Sequence, residues 1–169
     1  MPNLTKTTIV IASLAAMSLA TVAEARQGSV RVHGANGAAS AVAGQRGVAA
    51  RAHGTTTTSD GSVVRASGGA FRGANGGAGY RGSATTISPD GTVTRTGEAA
   101  ASGARGSASS SGSFTRSADG AWSGSRSSQA TNAATGNSYS GTTSIDPATG
   151  KLVHSGTCTD AAGNVIACR

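Results

Sequence analysis

The sequence predicts an all-β chain, arranged as a repetitive antiparallel up-and-down meander of strands about ten residues long. Turn signals recur about every 15 residues, with centres near positions 60, 75, 90, 105, 119, 135, 149 and 162. The segments between them are rich in Thr, Ser and Val and carry no apolar stripe with helical spacing. A regular alternation of turns and short polar strands therefore favours one extended sheet.

Large apolar side chains are too scarce for a conventional core. After residue 25, Leu, Ile, Val and Phe together number 15 in 144 residues, whereas globular domains contain at least twice that fraction. This composition excludes a compact enzyme-like domain. Two alternative architectures remain open at this point: a β-solenoid with coils of about 29 residues, and a largely disordered chain rich in Gly, Ser and Ala.

Residues 1–25 have the layout of a signal peptide, which we expect to be helical. A polar start precedes an apolar run at positions 9–20, and Ala23 and Ala25 supply the small residues that a signal peptidase requires. We therefore predict cleavage between Ala25 and Arg26. The apolar run is shorter than the roughly 20 residues of a membrane-spanning helix, and no later segment could span a bilayer as a helix. The predicted location is the periplasm, the cell surface or the extracellular space.

The rest of the chain divides into a short segment and four repeats. Residues 26–53 are rich in Gly and Ala and resemble a degenerate repeat, which the sequence leaves open as ordered or poorly ordered. Each later unit has a Ser/Thr-rich run, a turn, and an apolar residue two positions after the turn glycine. The predicted repeat boundaries are 54–81, 82–111, 112–140 and 141–169.

Two kinds of turn are predicted within these repeats. The Asp-Gly pairs at 60–61 and 119–120 suit tight hairpin turns in which glycine takes a positive φ. The Pro-containing turns at 89–91 and 147–150 suit a type I turn that ends in a left-handed glycine. The turns that contain Asp are expected at one end of the strands, and the Ala/Asn-Gly turns at the other end. The turn residues predicted to be structural are Asp60, Gly61, Pro89, Asp90, Gly91, Asp119, Gly120, Gly150 and Gly163.

The two cysteines, Cys158 and Cys168, are predicted to form a disulfide. An oxidising compartment favours their pairing, and a turn at 160–164 would place them on adjacent strands. Neither CxxC spacing nor a neighbouring histidine indicates a metal or redox site. We therefore interpret the pair as a structural clasp.

No catalytic, metal or cofactor site is predicted. Five of the six acidic residues after position 25 lie in or beside predicted turns, and Glu98 alone cannot supply an acid/base pair. The histidines His33, His53 and His154 lack metal-ligand spacing, and no Gly-x-Ser-x-Gly motif is present.

The charge of the chain indicates an anionic partner. Removal of residues 1–25 leaves 13 basic and six acidic residues, a net charge of +7, and 12 of the 13 cations are arginine. Arg65 and Arg95 each follow a turn glycine by four residues, and Arg51 and Arg81 each precede a turn aspartate by nine. Equivalent positions on alternate strands share a face of the sheet, so these arginines should form short rows suited to phosphate, sulfate or carboxylate.

Two classes of function follow from these features. The first is a non-enzymatic structural or surface component of the cell envelope or matrix, which associates with further copies of itself through its sheet edges. The second is a soluble exported module that binds polyanions, such as lipopolysaccharide, acidic polysaccharide or the DNA backbone, through the arginine rows. Sequence-specific recognition of nucleic acid is not expected, because no base-reading motif is present.

Overall fold

The computed structural model describes residues 28–168, and these form one open sheet of 11 antiparallel strands. The predicted signal peptide and its cleavage site, together with Arg26 and Arg169, lie outside the described residues. The strands are β1 (Gly28–Gly34), β2 (Gly37–Gly44), β3 (Gly47–Thr57), β4 (Val63–Gly73), β5 (Ala78–Ile87), β6 (Val93–Gly103), β7 (Gly106–Arg116), β8 (Trp122–Asn132), β9 (Ser138–Ile145), β10 (Leu152–Thr159) and β11 (Val165–Ile166).

The predicted all-β class is confirmed. The strand order across the sheet is the order along the chain, so each strand pairs with its chain neighbours in antiparallel register. A solenoid would instead stack strands one repeat apart, and that pairing is not formed among residues 28–168. No helix that could span a membrane is found in the same range.

Residues 28–53 belong to the same sheet as the repeats. They form β1, β2 and the first part of β3, joined by loops of two residues at 35–36 and 45–46. Turns therefore follow each other after about ten residues in this part of the chain and after about 15 in the repeats. The shorter spacing explains why these strands carry the repeat pattern only faintly.

The turns around Asp60, Asp90 and Asp119 share one geometry. In each, a three-residue loop ends in a glycine with positive φ: Gly61 at 82°, Gly91 at 86° and Gly120 at 93°. The predicted positive φ at Gly61 and Gly120 is therefore confirmed, and the hairpin loops there have three residues, one more than the tightest hairpin turns. The carboxylate supplies the physical reason, because in all three turns it accepts the N–H of the residue two positions later, and that bond stabilises the longer loop.

The turns that follow Asp146 and Asp160 also combine an aspartate with a final glycine of positive φ. The loop after Asp146 has four residues and ends in Gly150, with φ of 66°, and Asp146 accepts the N–H of Ala148. The loop after Asp160 has three residues and ends in Gly163, with φ of 88°. Successive turns lie at opposite ends of the sheet because every connection is antiparallel.

Very little of the chain is buried. Among the described residues, the buried apolar side chains are Ala43, Ala50, Val64 and Ala84, and no side chain is less than 2 % exposed. A single sheet with solvent on both faces cannot enclose large residues, so small side chains suffice at these positions. Hydrogen bonds along the ladders consequently hold the sheet together to an unusual degree.

The disulfide between Cys158 and Cys168 is present, with the two Cα atoms 5.3 Å apart. The cysteines are diagonal neighbours, since Cys158 pairs in register with Ile166, and Cys168 lies two residues beyond the short strand β11. The bridge thus fastens the end of the chain to β10, where only two residues of ladder would otherwise hold it.

Candidate functional site

The arginines of the sheet lie almost entirely on one face. Side chains alternate between the two faces of a strand, and residues paired in register share a face. Following the register across the sheet places seven of the ten described arginines on one side, all exposed, and we name this side the arginine face. Its arginines are Arg31, Arg51, Arg65, Arg81, Arg95, Arg116 and Arg126.

Negative charge is excluded from the arginine face. Within residues 28–168, the five aspartates occupy turns, and the strand carboxylate of Glu98 pairs with Gly82 and Ser111 on the opposite face. Of the remaining described arginines, Arg72 lies on that opposite face and two occupy turns. The arginine face therefore carries uncompensated positive charge, and the folding of the strands places it there.

The four predicted arginines lie in two rows across the strands. Arg51 and Arg81 lie in one row, on β3 and β5, with Gly69 of β4 between them. Arg65 and Arg95 lie in a second row, on β4 and β6, with Thr85 of β5 between them. Alternate strands put about 9–10 Å between neighbouring arginines of a row. The two rows are four residues apart along the strands, which corresponds to about 13 Å.

A groove runs between these rows, across the strands. Its floor consists of Ser67, Ser83, Gly97 and Gly112, which are consecutive register partners on β4 to β7. The groove encloses about 540 Å³. The floor is low because two of its four residues have no side chain and the other two have small ones. We name this feature the serine–glycine groove.

Cations flank the groove on several sides. Arg51 and Arg81 line it on one side, and Arg95 lines it on the other beside Phe114. In register, His53 on β3 stands at one end of the floor and Arg126 on β8 at the other. Five strand spacings separate these ends, or about 24 Å. The groove is thus an elongated channel, open to solvent and bordered by donors.

Hydroxyl groups support the arginines and the floor. Arg51 donates from Nε to Ser40 Oγ at 3.1 Å, and Arg126 donates from Nε to Ser110 Oγ. On the floor, the Ser67 and Ser83 hydroxyls are 3.1 Å apart and hydrogen bonded. One of these two hydroxyls must use its hydrogen for that bond, which leaves the other hydrogen free to donate to a ligand above the floor.

Aromatic and histidine side chains share the arginine face. The register places Phe71, Phe114, Trp122 and Tyr139 there, as well as all three histidines. His154 contacts the Tyr139 hydroxyl through Nε2 at 3.0 Å and the Thr143 hydroxyl through Nδ1 at 2.9 Å. No group of three or more His, Cys, Asp or Glu that could hold a metal ion occurs among residues 28–168.

The structure groups the predicted arginines only in part. Three of them, Arg51, Arg81 and Arg95, line the groove, whereas Arg65 shares the row of Arg95 but does not line it. Arg126 lines the groove and was missed by sequence reasoning, as were Arg31 and Arg116 on the same face. The parity of the offset from the turn glycine would have identified Arg126. It follows Gly120 by six residues, and Arg65 and Arg95 follow their turn glycines by four, so all three offsets are even. Even offsets from equivalent turn glycines share a face of the sheet.

Comparison with known proteins adds no further assignment. The chain matches no protein-family model, and it is similar to no curated protein and to no solved structure.

Proposed function

We propose that this chain, after export, acts without catalysis as a binder of polyanions through its arginine face. The observation that carries the proposal is the segregation of charge: seven exposed arginines share one face on which, within residues 28–168, no carboxylate lies. Guanidinium groups form bidentate hydrogen bonds with phosphate, sulfate and carboxylate. In the cell envelope the polymers that offer such groups are lipopolysaccharide, acidic polysaccharide and released DNA.

The arrangement of the donors supports binding to a polymer backbone rather than to a base sequence. The arginines are spread over β1 to β8, so an extended polymer would contact several of them at once. No helix or paired ribbon protrudes from the described residues to enter a DNA groove. Affinity for nucleic acid should therefore depend on salt and be indifferent to sequence.

A second candidate function is that of a self-associating structural component. Strand β1 forms one edge of the sheet, and its seven residues are all exposed, with Val30 59 % and Val32 60 % exposed. At the other edge, β11 pairs with only the last two residues of β10, so residues 152–157 of β10 form most of that edge and are exposed as well. An exposed edge strand that contains valines and no proline is a surface on which a second copy could pair.

A salt titration with sizing tests the first candidate against the second. Residues 26–169 are titrated onto duplex DNA between ~50 mM and ~200 mM salt, and three to five phosphate contacts predict a log–log slope of about −3 to −5, because each contact releases condensed counterions. The unliganded protein should sediment as a monomer. Undetectable binding at ~50 mM salt would overturn the polyanion proposal, and assemblies formed without ligand would favour the structural component.

A further inference from the structure

The serine–glycine groove has a shape that the arginine face as a whole does not. Its borders, the rows of Arg51/Arg81 and Arg95/Phe114, are about 13 Å apart from backbone to backbone. Only serine and glycine lie between these borders on β4 to β7, so that one polymer chain fits between them. A double helix is too wide for this gap, because its major groove of about 12 Å and its minor groove of about 6 Å together exceed it, and it could contact the arginines only from above.

We propose that the groove seats a single extended anionic chain that carries sulfate or phosphate ester groups and runs across the strands. This inference rests on the proposed function and names the ligand class for the groove. The floor of small residues crosses β4 to β7, about 14 Å, and His53 and Arg126 stand at its two ends, a length suited to a few units of a polymer rather than to an isolated ion.

The donors of the groove favour tetrahedral esters over carboxylates. A phosphate or sulfate monoester has three terminal oxygens arranged as a pyramid, whereas a carboxylate has two oxygens in a plane. Arg51 and Arg81 border the floor on one side and Arg95 on the other, and a serine hydroxyl lies beneath them. Two oxygens can thus face guanidinium groups on opposite sides while the third accepts from a hydroxyl. A carboxylate leaves one of these three donor directions unused.

Gly97 permits a direct test of the groove. A Cβ added at Gly97 would lie 3.7 Å from its nearest neighbour, the Gly82 carbonyl oxygen, so a side chain there fills the groove without a backbone clash. Gly44 gives the matched control, because a Cβ there meets nothing within 4 Å and Gly44 lies at the end of β2, away from the groove. The variants are Gly97→Leu and Gly44→Leu in residues 26–169, both checked by circular dichroism.

The probes are sulfated dextran, phosphorylated dextran and carboxymethyl dextran of equal length and substitution, with duplex DNA as a fourth. The wild type should bind either ester polymer about tenfold more tightly than the carboxymethyl polymer at equal salt. Gly97→Leu should weaken binding to the ester polymers about tenfold and change duplex binding less than twofold, whereas Gly44→Leu should resemble the wild type. Should Gly97→Leu fail to fold, Ser83→Val narrows the same floor and removes a hydroxyl.

Each outcome separates the two levels of the proposal. Equal affinity of the wild type for ester and carboxymethyl polymers, or ester binding that Gly97→Leu leaves unchanged, overturns the groove assignment while leaving polyanion binding intact. An equal loss of ester and duplex binding in Gly97→Leu also overturns it, since the face as a whole would then be disturbed. Failure of the wild type to bind any of the four probes overturns the proposed function itself.

Discussion

At the scale of single residues, the aspartates of the turns stabilise those turns through hydrogen bonds to nearby groups. Asp60 accepts hydrogen bonds from the Thr58 hydroxyl and from the backbone N–H of Ser62, and the Thr58 bond is the main reason that its pKa is lowered. The backbone N–H of Ala148 lowers the pKa of Asp146, and the side chain of Asn164 lowers that of Asp160. Each of these carboxylates stabilises its turn more strongly when it is ionised than when it is protonated.

This chemistry predicts a loss of stability in acid. A carboxyl group whose pKa is lower in the folded than in the unfolded chain stabilises the fold above the unfolded pKa, about 3.9 for Asp, and that contribution disappears as the pH falls through the folded value. The urea midpoint of the wild type should therefore fall as the pH is lowered from 5 to 2. The triple variant D60N/D146N/D160N should show a flatter dependence over that window, and a dependence as steep as that of the wild type would refute this role.

At the scale of the strand, some glycines are required by close approach between neighbouring backbones. Gly124, inside β8, has φ of 132°, and an added Cβ would lie 2.2 Å from the Ser113 carbonyl oxygen of β7. Gly97, inside β6, has room for a Cβ, because its nearest neighbour would be 3.7 Å away. Two glycines inside strands of the same sheet therefore differ: Gly124 has no room for a side chain, whereas Gly97 has room for one.

Alanine substitution should separate these two positions. Gly124→Ala should cost about 2–3 kcal/mol of unfolding free energy, because the residue is strained in φ and overlaps a backbone atom. Gly97→Ala should be neutral or stabilise by up to about 1 kcal/mol, since alanine loses less backbone entropy on folding. Urea denaturation of both variants measures the difference, and equal losses would show that β7 and β8 do not approach as described.

At the scale of the whole molecule, the periodicity of the sequence was sufficient to predict the class of the fold but not its extent. Turn glycines such as Gly61 and Gly91 recur at nearly constant spacing, so a meander could be predicted from their positions alone. The contribution of β1 and β2 could not be predicted in the same way, because these strands have only seven and eight residues and so depart from the 15-residue spacing.

Part of the candidate site could also be predicted from the sequence, namely its rows of arginines but not its groove. Its rows follow from the spacing of Arg51, Arg65, Arg81 and Arg95 relative to the turns. The groove does not, because its floor depends on the register that aligns Ser67 and Ser83 with Gly97 and Gly112. Register depends on the number of residues in each loop, which the turn signals do not fix; the loops at Asp60 and Asp119 illustrate this.

The central claim is that location on the arginine face, rather than net charge, determines binding. Two triple variants with equal charge test it: R65Q/R81Q/R95Q removes three cations from the arginine face, and R46Q/R72Q/R105Q removes three exposed cations elsewhere. The measurement is the salt dependence of duplex DNA binding. The first variant should flatten the log–log slope by up to about three units, and the second should retain a slope close to that of the wild type. Equal slopes for the two variants would contradict the account, because binding would then depend on diffuse net charge.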